Sequence, residues 1–117
     1  MILQVEKKSP ATGVGILELR GRLLMGNDSR QVEWAVVEWI KAGIINVILD
    51  LGGLDTIDST GVGILVMCHA KLEKVGGSLR ISGARGIILE ILRMTHVDRI
   101  VKFFPTAQEA SKNFGPA

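Results

Sequence analysis

The chain is 117 residues long and 47% hydrophobic, with 14 Lys and Arg against 12 Asp and Glu. That suffices for one compact domain with a sizeable core. A scattered formal charge of +2, without an aromatic stacking set, argues against a nucleic-acid binder. A lone cysteine, Cys68, allows no internal disulfide. No apolar run reaches the roughly 18 residues that a membrane span needs, and Met1 to Glu6 turn polar too early for a signal peptide. These features predict a soluble cytoplasmic protein without membrane insertion, with residues 1–117 as a single domain whose last few residues are loose.

Ile2, Gln4 and Glu6 alternate with Leu3, Val5 and Lys7, which suits a half-buried strand over residues 2–7. Ser9 to Gly13 reads as a turn and Val14 to Leu19 as a second strand, so the two form a hairpin. Gly21 and Gly26 break the chain. Asn27, Asp28 and Ser29 offer N-caps for a helix, whose stripe is Val32, Ala35, Val36, Trp39 and Ile40. Lys41 falls in its last turn and Gly43 stops it. Trp34 lies nearly opposite that stripe, where an exposed indole marks a possible interface or lies flat on its own helix.

Ile45 to Leu51 is apolar on both faces apart from Asn46 and Asp50, the pattern of a central strand covered by helices on both sides. Gly52 to Ile57 reads as a short connection anchored by Leu54 and Ile57. A second helix starts at Ser59 or Thr60 and runs to Val75. Its first turns are apolar all round, which predicts burial, and Gly76-Gly77 ends it. A strand at Ser78–Ser82, a helix around Ile87, Ile88, Ile91 and Leu92, and a strand at Ile100–Phe104 follow. Thr106 can then cap a last helix through Glu109. Alternating strands and helices after the hairpin predict an α/β fold, a mixed but mostly parallel sheet packed with about four helices.

The most informative stretch is Asp58-Ser59-Thr60-Gly61-Val62-Gly63, at the junction of the central strand and the second helix. A hydroxyl there is exposed by geometry and can cap the helix, bind a ligand or accept a phosphoryl group. A phosphate on Ser59 would lie in the field of the helix N-terminus. It would add about −1.5 to −2 charge units at one point. Gly61-Val62-Gly63 lacks the lysine of a P-loop and the third glycine of a dinucleotide loop, and Ile57 stands where a nucleophile elbow needs glycine. Ser59 and His69 are too far apart on one helix for proton transfer. Cys68 reads as a small core residue. The Cys, His, Asp and Glu residues lack metal-ligand spacing, and neither catalytic residues nor a cofactor are expected.

The run Asp50-Leu51-x-x-Leu54-x-x-Ile57-Asp58-Ser59-Thr60-Gly61-Val62-Gly63-Ile64-Leu65 resembles the signature of the STAS domain, especially of free-standing bacterial anti-sigma factor antagonists. Leu19 to Leu23, Gly76 to Ile81 and Leu92 to Ile100 resemble the family's flanking segments. The resemblance implies a phosphoprotein that regulates transcription by protein binding. Its partner is an anti-sigma factor that is also a serine kinase; binding it frees a sigma factor. Phosphorylation of Ser59 ends the contact and a phosphatase resets it. Two residues depart from the pattern. Leu24 stands where the family often has an acidic partner contact, and His96 stands where it often has glycine.

The expectation is therefore a non-enzymatic binding module centred on Asp58, Ser59, Thr60, Gly61 and Val62. Asp58 orients the loop and caps the helix, Gly61 allows close backbone approach and Thr60 flanks the acceptor. One rival keeps the fold but makes it a scaffold subunit of a signalling complex, or an accessory subunit of a lipid or anion transporter, with Trp34 as permanent interface. Another is nucleotide binding at the glycine-rich junction. The oligomeric state stays open.

Overall fold

A computed structural model describes residues 2–112 and 114; the expected loose end lies mostly beyond these. Five strands form one sheet in the order β1-β2-β3-β4-β5: β1 Gln4–Ala11, β2 Val14–Leu23, β3 Asn46–Ile57, β4 Ser78–Ser82 and β5 Lys102–Phe104. β1 and β2 are antiparallel, and every later pairing is parallel. The helices are α1 Asn27–Lys41, α2 Ser59–Lys74, α3 Gly86–Met94 and the short α4 Ala107–Ala110. A 3-10 turn, Val97–Arg99, precedes β5.

The strand order decides where the helices go. Each crossover from β2 to β5 moves one strand in the same direction, and right-handed crossovers then put every connecting helix on the same face. Val32 and Val36 of α1, Leu65 and Leu72 of α2, and Ile88 and Leu92 of α3 accordingly share one core with Leu17, Leu19, Val47, Leu49, Leu79 and Ile81. Burying each such side chain contributes about 1.5–3 kcal/mol. The expectation of helices on both sides is met unevenly: α1–α3 occupy one face, and the short α4 alone backs the other. There Arg80 donates to the carbonyls of Ala110 (2.7 Å) and Lys112 (2.9 Å), and its guanidinium lies 4.0 Å from the Phe114 ring. The register Glu6–Glu18–Asp50 on this second face is charged. Lys8 donates to Glu18 at 3.0 Å, holding that carboxyl below the usual range.

Several boundaries differ from expectation. β2 continues through Gly21 to Leu23, and β3 continues through Gly52-Gly53 to Ile57. Register shifts after Glu18 and Gly21 let these two segments pair where glycine suggested a break. The hairpin turn tightens to Thr12-Gly13. α1 has no side-chain cap: Gly26 holds the cap position at φ 99, and Ser29 Oγ instead donates to the Leu24 carbonyl at 2.7 Å. His96 adopts φ 65, the left-handed conformation that glycine takes without cost, which matches its place in the pattern noted above.

Candidate functional site

The site begins where β3 ends. Asp58 takes an extended conformation (φ −105, ψ −177), and its Oδ1 accepts the Gly61 N–H at 2.8 Å. One of the orphan N–H groups of the first helical turn is thereby satisfied. The other carboxylate oxygen, Oδ2, accepts the Met25 N–H at 3.1 Å, across 33 positions of sequence. The backbone adds a third tie, from Asp58 N–H to the Leu23 carbonyl at 3.3 Å. The start of α2 is thus fixed to the end of β2 and to the loop that leads into α1.

Gly61 is buried where these elements meet. A Cβ on it would stand 2.6 Å from the Leu23 carbonyl oxygen and 2.7 Å from Ile57 Cγ1. No real Cβ tolerates that spacing, so only glycine lets the helix start this close to the β2 exit.

Ser59 is the first residue of α2 and is exposed, while Thr60 beside it is half-buried. Among the described residues nothing is hydrogen-bonded to the Ser59 hydroxyl. It faces solvent from a backbone that is held on both sides. The expected contact residues therefore divide by depth. Ser59 and part of Thr60 form surface; Asp58 is the brace; Gly61 and Val62 are buried beneath. Trp34 is exposed (63%) but lies apart, in a shallow cleft of about 260 Å³ against Val5 and Lys7 of β1. The structure does not bring it to Ser59.

An exposed apolar surface that the sequence did not single out extends from Ser59 along α2. Ser59, Gly63, Val66 and Ala70 follow at i, i+4, i+7 and i+11, so they form a single ridge along α2, and all are exposed. Met67 (42% exposed) flanks this ridge, and Met25 (70% exposed) sits on the loop tied to Asp58. The expectation that the first turns of α2 are buried all round is corrected. Val62, Ile64, Leu65 and Cys68 are buried, but Gly63, Val66 and Met67 face outward because, among the described residues, no element lies above α2. Only the sheet order reveals that; composition cannot.

The other candidate chemistry is silent here. Cys68 is fully buried, and burial pushes its thiol up to about 12. Among the described residues, the acidic side chain that His69 approaches is Glu73, at 3.7 Å. Among the described residues no group of three or more His, Cys, Asp and Glu residues could hold a metal ion. Nor is any described helix long and apolar enough to cross a membrane.

A family model described as the STAS domain matches residues 5–110. The chain belongs to the STAS domain family. A Thermotoga neapolitana protein named as a candidate anti-sigma factor antagonist is 28% identical over 95 residues, covering 75% of this chain and 84% of the relative. The crystal structure of a candidate anti-sigma factor antagonist from Thermotoga maritima superposes with a TM-score of 0.82 at 26% identity, covering 91% of this chain and 90% of that one. The Bacillus cell fate determinant SpoIIAA, solved in a phosphorylated form, superposes with a TM-score of 0.73, covering 92% of this chain and 96% of that one; at 17% identity it shows the fold alone. This STAS domain thus groups with proteins named for anti-sigma factor antagonism, and its five-stranded mixed sheet is the fold they share.

Proposed function

We propose that this STAS domain is an anti-sigma factor antagonist. In this reading it binds an anti-sigma factor that is also a serine kinase and so frees a sigma factor. The kinase phosphorylates Ser59, which switches the antagonist off, and a phosphatase restores it. The observation that carries the reading is an exposed hydroxyl on an over-determined backbone: Ser59 points outward while Asp58 and Gly61 lock the residues around it. Relatives named for this activity, and a fold neighbour solved in a phosphorylated form, support it.

The switch is electrostatic. A phosphoserine would add about −1.5 to −2 charge units beside the Asp58 carboxylate. The free N–H groups and dipole of the α2 N-terminus offset the cost to the domain itself. An apolar partner surface lying against Met25, Gly63 and Val66 has no such compensation and must either desolvate the dianion or withdraw. Leu24, where the family often has an acidic residue, and its neighbour Met25 make the contact apolar rather than charged.

The test mixes the purified domain with its candidate serine kinase and ATP and maps phosphate by mass spectrometry. Phosphate is expected on Ser59, and Ser59→Asp is expected to weaken kinase binding while leaving the melting temperature nearly unchanged. Modification of a different residue, with Ser59 untouched, overturns the assignment.

A further inference from the structure

Beyond Met1 the chain carries methionines at 25, 67 and 94, and all three are exposed, at 70%, 42% and 72%. The aliphatic core uses Leu, Ile and Val instead. Solvent-facing methionine is an adaptable, polarisable contact, and its sulfur is also accessible to oxidants. Two of the three border the exposed α2 ridge that starts at Ser59, one at each end of the stretch. The Met25 N–H is bonded to the residue that caps α2. Met67 lies eight positions after Ser59, about 12 Å along the helix axis, next to the exposed Val66 of the Ser59 ridge. Met94 is placed differently. α3 begins just after β4, so its start lies at the Ser59 end of the sheet and Met94 at the far end of the helix.

We infer that Met25 and Met67 are oxidation sites whose conversion to the sulfoxide closes the Ser59 surface to its partner, a second off-switch independent of phosphorylation. The inference rests on reading that surface as the partner-binding site. The oxidant is a two-electron oxygen donor of the hydrogen peroxide class. The thioether sulfur attacks one peroxide oxygen and the O–O bond breaks as the S–O bond forms. The departing hydroxide takes the proton of the transferred OH, leaving sulfoxide and water. Sulfur is oxidised by two electrons and peroxide is reduced by two.

A sulfoxide places a strong hydrogen-bond acceptor in an apolar contact, where it is desolvated without a donor. Because both side chains project into solvent in the free domain, the fold itself is indifferent to the change. The usual thiol target is protected: Cys68 is buried, and burial disfavours its thiolate at neutral pH. Peroxide therefore reaches the methionines of the intact domain before the cysteine. Reductases act on methionine sulfoxides, so the modification is reversible.

The experiment treats the full chain alone with hydrogen peroxide, removes the peroxide with catalase, and confirms sulfoxides at Met25 and Met67 by peptide mass spectrometry. Binding to the candidate serine kinase and the initial rate of Ser59 phosphorylation are then measured. Oxidation is expected to weaken binding about tenfold or more with little change in melting temperature. The volume-conserving pair Met25→Leu with Met67→Leu, compared with its own untreated form, is expected to lose no further affinity on the same treatment, whereas Met94→Leu loses as much as wild type. Undiminished binding by wild-type protein fully oxidised at both positions overturns the inference, as does an equal loss in the double variant. Absence of binding and of Ser59 phosphorylation in untreated protein is a separate outcome, and it overturns the underlying function instead.

Discussion

The entrances to α1 and α2 lie side by side, yet they are built in opposite ways. At α2 a carboxylate caps the first turn, a buried glycine seats the helix against the Leu23 carbonyl, and two further backbone contacts tie down Asp58 and Met25. At α1 Gly26 supplies only a positive-φ bend (φ 99, ψ −143) with no side-chain cap, and a Cβ there would meet nothing within 4 Å. The stiff entrance is the one that carries the exposed hydroxyl. Stiffness beneath Ser59 means that added charge cannot be relieved by moving the backbone, so it has to be felt by whatever docks. The looser entrance borrows order from the tighter one, since the Met25 N–H ends on Asp58 Oδ2.

The sharpest way to break this contrast is Gly61→Ala. The new methyl would meet the Leu23 oxygen at 2.6 Å, a contact with backbone that no rotamer relieves. Overpacking of this kind is expected to cost about 1–3 kcal/mol or more, read as a clear loss of melting temperature. An unchanged melting temperature would mean that the α2 entrance has slack, and the rigid-platform account of the switch would then fail.

Gly26→Ala probes the other entrance, where the loss comes from conformation alone. With nothing within 4 Å of the added carbon, the cost is that of holding alanine in a glycine-only region, about 1–3 kcal/mol. Space and backbone angle thus separate the two glycines: Gly61 fails by collision and Gly26 by strain. D-alanine at position 26, introduced by chemical synthesis, should therefore restore stability, and at position 61 it should not.

Asp58→Ala comes next, at about 0.5–2 kcal/mol for loss of an N-cap. Asp58→Asn refines the comparison. Its amide oxygen can still accept the Gly61 N–H, but its NH2 group then faces the Met25 N–H. Hydrogen exchange at the Met25 amide should speed up in Asp58→Asn while exchange at Gly61 stays slow. Equal acceleration at both amides would show that the brace does not work through its two separate oxygens.

How much of this was readable in advance follows from the range of each interaction. The Asp58 cap spans three residues and the alternation of strands and helices is local, so both were legible in sequence, as was the exposed Ser59. The β3 extension through Gly52-Gly53 was not, because its partner is β2 and the bulges at Glu18 and Gly21 belong to the pairing. The Asp58–Met25 bond crosses 33 positions and leaves no local trace. Val66 and Met67 looked like core because an apolar helix turn is the same string of letters whether one or two layers cover it. The missing fact was the order of strands, which puts α1–α3 on a single face and leaves the outer side of α2 bare.

Ser59 itself should matter least to the fold and most to the partner, and this is the comparison at its finest setting. A surface hydroxyl free of hydrogen bonds predicts that Ser59→Ala changes stability by no more than about 0.5 kcal/mol. Ser59→Asp puts an acid in the first turn of α2, where the helix dipole favours it by about 0.3–1 kcal/mol at low salt, partly offset by the neighbouring Asp58. Thermal melts of the two variants in low and high salt check both points. The aspartate variant should sit at or slightly above the alanine variant in low salt, and the gap should shrink as salt is added. A drop of more than about 1 kcal/mol in both variants would mean that the hydroxyl holds the α2 entrance together, and then phosphorylation would act by loosening the domain rather than by repelling its partner.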